Sequence, residues 1–221
     1  VYDFGSGSTN FKRPTLMGNP AGTLDLDDQN TYSDQLSTKW YATITPIEGL
    51  NITATLGANV LNQRANALQN PFYGSAVSVG GYVSVEHQRL FDINQQYMAT
   101  YKKTFADVHN FDILAGYESY SHKIQYLGGS NSMLYNPNIG ELNNAINTPP
   151  SVSSYTHEYA TMGYLGRVQY DYDGKYFVSA SYRRDASSRF HPDNRWGNFG
   201  SVGLAWLMSK ENFMSGIDWI D

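Results

Sequence analysis

Apolar and polar side chains alternate along most of this chain, and the alternation is cleanest in two neighbouring segments. In segment 36–45 the apolar positions are even-numbered, as at Leu36, Trp40 and Ile44, and segment 50–60 repeats the pattern. Successive side chains of a β-strand point to opposite faces, so a period of two predicts strands with one apolar and one polar face. The same pattern predicts further strands at 91–105, 111–117, 162–170, 176–183 and 196–208.

The connections between these segments alternate in length. Strands joined by a short turn pair antiparallel, so a short connection in every second position places all short turns at one end of the sheet. The short connections are 46–49, 106–110 and 171–175, and the long ones are 61–90, 128–155 and 185–196.

Residues 1–30 are rich in Gly, Asn, Asp and Pro, which predicts an irregular loop. The run Asp25, Asp27, Asp28 and Asn30 resembles the start of a calcium-binding loop. It lacks the glycine at the sixth position and the glutamate at the twelfth. We therefore interpret this run as a solvated acidic loop, and calcium stays the alternative.

Strand length separates the two all-β folds that this pattern allows. The segments run to about ten residues or more, whereas strands of globular sheets usually have about five or six. Outer-membrane barrels combine such strands with short periplasmic turns, longer extracellular loops and interfacial aromatic residues. A soluble sandwich also alternates, with its apolar face packed inward. The pattern favours an antiparallel transmembrane β-barrel segment of about seven long strands.

Composition narrows the range of functions. Only 16% of the 221 residues are charged, against about 25% in ordinary soluble domains. The net charge of -5 and the absence of a basic stripe argue against a nucleic-acid partner. The chain has no cysteine, which excludes disulfides and thiolate metal sites. It has no run of about 18 apolar residues to form a transmembrane helix. It begins with Val and not with a signal-like segment, so we expect it to be part of a longer protein.

No catalytic constellation emerges from the sequence. Ser187 and Ser188 have no histidine placed by sequence to act as a base, and nothing nominates the paired carboxylates of a hydrolase. The histidines are dispersed without the spacing of a metal site, and we interpret His109 and His191 as surface residues. We expect neither catalysis nor a metal or cofactor. The five histidines are His87, His109, His122, His157 and His191.

The most specific pattern is the segment 175–214. A DYDGKY turn leads into a strand that ends in RRDASSRF, and a run NRWGNFGS then opens the next strand. This segment resembles the barrel signature of SusC/RagA-type TonB-dependent outer-membrane transporters, and the hairpins at 38–55 and 97–116 resemble the same family more weakly. The residues of the signature are Arg183, Arg184, Asp185, Ser188, Arg189, Phe190, Arg195, Trp196 and Gly197.

The resemblance implies an origin and a function for the chain. Residues 1–221 would form an interior part of a 22-stranded barrel, with the plug and the TonB-contacting segment outside this sequence. The protein would lie in the outer membrane of a Gram-negative bacterium, in contact with its lipid. It would import oligosaccharides or peptides with a SusD-like surface lipoprotein and the TonB complex. The alternative function is a soluble all-β carbohydrate-binding or adhesin module.

Two sets of residues receive roles as hypotheses. We interpret the charged residues between Arg183 and Arg195 as a structural network at the barrel mouth, each exposed pair contributing about 0–1 kcal/mol. Contact with an anionic substrate or with lipopolysaccharide is the alternative. The long loops carry aromatic residues among amides, a composition that suits sugars or peptides, although ordinary loop composition explains it too. The loop candidates are Phe72, Tyr73, Tyr135 and Asn136.

The alternation also predicts which side chains meet lipid. The residues predicted to face lipid are Trp40, Ile44, Leu56, Val178, Leu204 and Trp206. Thr55, the neighbour of Leu56, is predicted to face the lumen.

Overall fold

The computed structural model describes residues 20–147 and 149–214, and its main feature is one seven-stranded sheet. The strands follow one another in chain order across the sheet, which is open, with β1 and β7 at its edges. The expected all-β antiparallel fold is confirmed. The strands are β1 Asp28–Ile47, β2 Leu50–Gln69, β3 Tyr82–Phe105, β4 His109–Ser132, β5 Ser151–Tyr172, β6 Tyr176–Ser187 and β7 Trp196–Trp206.

Helical structure is confined to short elements. The helix α1, Pro20–Leu26, begins with a proline, which suits the first position of a helix because no backbone N–H is needed there. Within the described ranges no helix has the length and apolar character needed to cross a membrane. The single-turn 3₁₀ helices are Val77–Val79, Leu142–Asn144, Pro192–Asn194, Met208–Lys210 and Asn212–Met214.

Most strands are longer than the alternation predicted. The three long connections shrink from 61–90, 128–155 and 185–196 to 70–81, 133–150 and 188–195. The expected boundaries were wrong because apolar alternation marks only the part of a strand that has an apolar face. Backbone hydrogen bonds extend the pairing into polar sequence regardless of side-chain type.

The chain start differs from the expectation as well. Helix α1 and the first residues of β1 occupy 20–30, so the irregular loop predicted for 1–30 is wrong there, and 1–19 lie outside the described residues. At the other end β7 stops at Trp206, two residues before the predicted end. Leu207 still donates its N–H to the Lys175 carbonyl at 2.8 Å, which closes the pairing with β6.

The short turns form where the sequence expected them. In the first, Gly49 has a φ of 83°, and a Cβ at this position would lie 2.1 Å from the Lys102 carbonyl oxygen. The turn therefore requires glycine for both its conformation and its close approach to β3. In the third, the Asp171 carboxylate accepts the Gly174 N–H at 2.7 Å.

The described residues form two compact units. Among the described residues, one unit draws on 20–36, Val60–Phe91 and Lys123–His157 and contains the two longest connections. Its small core consists of Ala21, Leu68, Tyr73, Ala76 and Val83.

The second unit contains the three short turns and the signature segment. Its described residues are Ser37–Asn59, Asp92–His122 and 158–214. None of its described residues belongs to the buried apolar core, so this unit is a sheet whose two faces are both accessible.

Candidate functional site

The pairing of β5, β6 and β7 determines which side chains share a face. Val178 pairs with Leu204 and Tyr176 with Trp206, whereas Arg183 pairs with Phe199 and Ser181 with Ser201. Residues directly opposite each other in an antiparallel pair lie on the same face. We call the face with Val178 and Leu204 the apolar face, and the face with Arg183 and Ser201 the polar face.

Strands β1 and β2 divide in the same way. Thr43 and Thr53 share a hydrogen bond of 2.9 Å, and the Ser37 hydroxyl donates to the Asn59 side chain at 2.7 Å. These odd-numbered residues lie on the polar face, so Trp40, Ile44 and Leu56 lie on the other. The predicted two-faced arrangement is thus confirmed for β1–β2 and β6–β7, and contact with lipid stays a prediction.

The polar face of the second unit contains a cavity of about 860 Å³. Residues from β1 through β7 line it, and many are charged or carry amides. The charged and amide side chains of this wall can form hydrogen bonds with polar groups or water in the cavity. Lining residues with long polar side chains include Lys39, Asn59, Asp92, Gln96, Glu118 and Arg183.

An ion network connects β3, β4 and β6 along this wall. Gln96 donates to Glu118 at 2.7 Å, and the Arg183 guanidinium lies 2.9 Å from the other Glu118 oxygen. Arg183 also donates through Nε to Asp185 at 2.8 Å. Two carboxylates therefore hold the Arg183 guanidinium in place. Together they restrict the side chains of this wall more than a single exposed ion pair would.

Gly163 makes this network possible. It lies on β5 opposite Asp185, between the two strands that the network joins. A Cβ at this position would lie 2.2 Å from an Asp185 carboxylate oxygen and 3.1 Å from the Arg183 guanidinium. Only glycine leaves the space through which Arg183 reaches across β5 to Glu118.

A second polar cluster contains a pair that the sequence analysis did not identify. His122 Nδ1 lies 2.6 Å from Asp92, whose other oxygen lies 3.4 Å from the Asn59 amide. The His122 ring is 4.9 Å from that of Tyr159, and the Arg189 guanidinium lies 3.9 Å from the Tyr159 ring centre. Alternation places Asp92 and His122 on one face, but only the strand register shows that they meet.

The apolar face carries two rows of aromatic rings. We call the first the long-loop row, because along its strands it lies farther from the short turns than the second row does. Its neighbouring ring centres are 5.2–6.2 Å apart, as between Tyr117 and Tyr164. The long-loop row consists of Tyr97, Tyr117, Tyr164 and Trp196.

The second row lies beside the short turns, and we call it the short-turn row. Its links include Phe111 to Tyr170 at 4.9 Å and Tyr176 to Trp206 at 6.3 Å. On β4 to β7 the apolar-face side chains between the rows are uncharged. The short-turn row consists of Phe105, Phe111, Tyr170, Tyr172, Tyr176 and Trp206.

The signature residues divide between the two faces and the loop. Arg183 and Asp185 lie on the polar face, whereas the Arg184 guanidinium lies on the apolar face, 4.6 Å from the Trp196 ring centre. Arg195 donates to the Phe190 carbonyl at 3.1 Å. The expected single charge network is therefore a set of separate contacts.

Ser188 fastens the end of β6 to β5. Its N–H donates to the Ala160 carbonyl at 2.9 Å, and its hydroxyl accepts the Ala160 N–H at 2.8 Å. These two hydrogen bonds continue the pairing of β5 with the chain just after β6. Gly197 pairs with Asp185 across the β6–β7 ladder.

The four loop candidates differ in accessibility. Tyr135 is 86% exposed and Phe72 is 52% exposed, so both rings are available to a ligand. Tyr73 is buried, and its N–H donates to the side chain of Asn70. The Asn136 side chain accepts the Asn138 N–H at 3.0 Å.

Asn70 anchors the first of these loops. Its exposure is 2%, and its backbone N–H and side-chain amide both donate to Asp27. Asp27 is therefore occupied within the fold. In the described ranges no three His, Cys, Asp or Glu residues are grouped so that they could hold a metal ion.

Two known proteins that resemble this chain in sequence are both named TonB-dependent receptors. No family model matches the chain. TonB-dependent receptor P39 of Formosa agariphila is 32% identical over 203 residues, which are 90% of this chain and 19% of that protein. TonB-dependent receptor SusC of Bacteroides thetaiotaomicron is 24% identical over 212 residues, or 93% of this chain and 20% of that protein. The chain thus spans about a fifth of these relatives.

Solved structures show the same fold. The RagAB peptide transporter matches with a TM-score of 0.79 and 23% identity, over 87% of this chain and 22% of that chain. The open-open state of the RagAB peptide importer matches with a TM-score of 0.78 and 23% identity, over 88% of this chain and 22% of that chain.

Proposed function

Since the chain resembles SusC/RagA-type TonB-dependent receptors over about 90% of its length, we propose that it forms part of the barrel wall of an outer-membrane nutrient importer. The wall separates lipid from a polar lumen and presents loops to the nutrient. Catalysis is not part of this role. The relatives are named as receptors and transporters, and a wall needs no reacting group.

The two aromatic rows on the apolar face carry this proposal. β7 has 11 residues from Trp196 to Trp206, so the two rings are about 33 Å apart along a strand that rises about 3.3 Å per residue. At a tilt of about 40°, the separation along the membrane normal is about 25 Å, the height of the apolar band of outer-membrane barrels. Amphipathic rings at both edges of an uncharged band match the two interfaces of a membrane.

The polar face fits the lumen of such a barrel. The Arg183 network and the pair of Asp92 with His122 place charged and amide groups where lipid could not solvate them. Facing water or other polar groups, they remain solvated and brace neighbouring strands. The short turns would lie on the periplasmic side and the long connections outside the cell.

The names of the relatives and the composition of the loops support a proposal about partners and substrates. One solved relative is named a peptide transporter, and others are named TonB-dependent receptors. We infer import of oligosaccharides or peptides with a SusD-like surface lipoprotein, driven by the TonB complex. The exposed rings of Phe72 and Tyr135 would supply stacking surface for either substrate class.

Uptake by cells that carry the full-length receptor tests this function. Replacing Phe72 and Tyr135 together with alanine should weaken binding of labelled oligosaccharide or peptide and leave the amount of inserted receptor unchanged. Tyr73→Ala should instead lower the amount of receptor, because Tyr73 is buried. The matched control is Phe213→Ala, which removes an exposed ring near the short turns.

Two results would contradict the proposal. A full-length protein that stays in the soluble fraction without detergent would favour the soluble binding module. Normal uptake in the Phe72 and Tyr135 double variant, with loss of uptake in Phe213→Ala, would place the nutrient at the wrong end of the strands.

A further inference from the structure

Arg184 is an exposed cation on the apolar face, at the level of the long-loop row. It pairs with Tyr164 on β5 and with Asn198 on β7, so these two residues lie beside it on the apolar face. Its guanidinium lies over the Trp196 ring, and the rings of Tyr164 and Trp196 are stacked 6.1 Å apart. The charge therefore stands at one edge of the uncharged band.

The surroundings of Arg184 contrast with those of its neighbour Arg183. Two carboxylates hold Arg183 on the polar face, whereas no carboxylate of residues 20–147 or 149–214 forms an ion pair with Arg184. Nearby polar atoms are also engaged with each other, since the Tyr182 hydroxyl donates to Asn198 at 2.7 Å. A stacked guanidinium keeps the donors on its edge available, because the ring occupies only its flat side.

The position of this cation suits one chemical partner. In the arrangement under Proposed function, Trp196, the ring that Arg184 covers, lies about 25 Å from Trp206 of the short-turn row along the membrane normal. That is the level of lipid headgroups in the outer leaflet. Arginine side chains extend from apolar surroundings to this level, and a planar guanidinium binds phosphate with two parallel hydrogen bonds.

We propose that Arg184, held over Trp196, binds the phosphate group of an outer-leaflet membrane lipid. This inference rests on the proposed function, because it requires the apolar face to lie in a membrane. The tyrosine and tryptophan rings beside Arg184 contact the adjoining glycolipid backbone, and the lipid phosphate supplies the anion that the described fold does not.

Lipid binding to the purified full-length receptor tests the proposal. The receptor in detergent is titrated with lipid A that carries its phosphates and with dephosphorylated lipid A, and bound lipid is counted by native mass spectrometry. The phosphorylated lipid should bind about fivefold more tightly, the factor expected for one arginine near an anionic surface. An excess of inorganic phosphate should not displace the lipid, because the acyl chains hold it on the apolar face.

Substitutions assign the preference to this residue. Arg184→Gln should bind both lipids equally. The matched control is Lys103→Gln, which removes an exposed cation that alternation places on the same face, beside Phe105 in the short-turn row, and it should keep the preference. Arg184→Lys, which retains the charge, should keep part of it.

Several outcomes would overturn the inference. Equal affinity of the wild-type receptor for the two lipids, an unchanged preference in Arg184→Gln, or full displacement by inorganic phosphate would each leave Arg184 as a water-solvated arginine. Equal affinity of the wild-type receptor would overturn the inference even if Arg184→Gln fails to insert, and Arg184→Lys would then carry the assignment to this residue. Failure of nutrient uptake with an intact lipid preference would instead count against the proposed function alone.

Discussion

At the scale of single residues, Gly163 shows how an absent side chain supports a charge network. Its missing Cβ leaves the path along which Arg183 crosses β5 to Glu118. The buried position of Gly163 means that a larger residue could not turn away into solvent. One glycine thus links the wall across three strands.

Gly163→Ala should destabilise the folded receptor by about 1–3 kcal/mol, the usual cost of overpacking a close contact. Gly166→Ala on the same strand is the control, since its Cβ would meet only the Leu114 carbonyl oxygen, at 3.9 Å. Urea unfolding in lipid vesicles measures both. Equal stability of the two variants would show that Asp185 and Arg183 relax without cost.

The carboxylate of Glu211 should make the stability of the fold depend on pH. Hydrogen bonds from the Tyr176 hydroxyl and then from the Trp206 indole lower the pKa of Glu211 below its usual value. Glu211 follows the last strand, so it lies beyond the predicted membrane band. It joins the aromatic short-turn row to the turn after β7.

This lowered pKa gives a pH dependence of stability with a definite sign. A carboxylate with a depressed folded-state pKa stabilises the fold above the unfolded pKa of about 4.3, and that contribution is lost as pH falls through the folded pKa. Wild type should therefore exceed Glu211→Gln in unfolding midpoint at neutral pH, and the difference should shrink on acidification. Tyr176→Phe should reduce the same difference. A midpoint difference that does not vary with pH would contradict the assignment.

At the scale of elements, each strand of the second unit separates two environments. β2 illustrates this, because Thr55 lines the polar cavity while Leu56 points to the other face. A one-residue shift in pairing would exchange the two environments completely. The register is therefore as important to the wall as the composition.

Leu56→Arg should cost roughly 2–4 kcal/mol of folding free energy in a bilayer if the site lies near the midplane, because lipid cannot solvate the charge. Thr55→Arg is the matched control on the adjacent position and should cost much less, since its side chain enters the polar cavity. Reversible folding titrations into vesicles measure both changes. Equal costs of the two substitutions would show that the face of Leu56 is no more exposed to lipid than the face of Thr55.

At the scale of the whole molecule, the described sheet has two open edges. β1 and β7 each present backbone groups that have no partner strand within the described ranges. Exposed apolar side chains cover one face, including Val202 and Leu204 at 77% and 79% exposure. Unpaired edges and a large apolar surface both promote association in water.

The 221-residue chain expressed alone in water should therefore aggregate, and detergent should reduce the aggregation. Light scattering and size-exclusion chromatography measure the particle size with and without detergent. A monodisperse soluble monomer would contradict the membrane assignment and support the soluble module.

The sequence alone was enough to establish the all-β class, the seven strands and the three short turns. Alternation with period two is a local property, and each turn depends on a few adjacent residues, such as Gly49 and Asp171. The face of Leu56, Val178 and Leu204 followed from the same local rule. The resemblance of the signature segment to SusC/RagA-type receptors also needed no coordinates, and it is confirmed.

Only the tertiary structure decided what depends on pairing between distant residues. Strand ends moved because the backbone ladder continues through polar sequence, as in β2 up to Gln69. The meeting of Asp92 with His122, the reach of Arg183 across Gly163, and the place of Arg184 over Trp196 all depend on register. Residues far apart in sequence meet only after neighbouring strands have paired, and alternation gives the face of a side chain but not its neighbour.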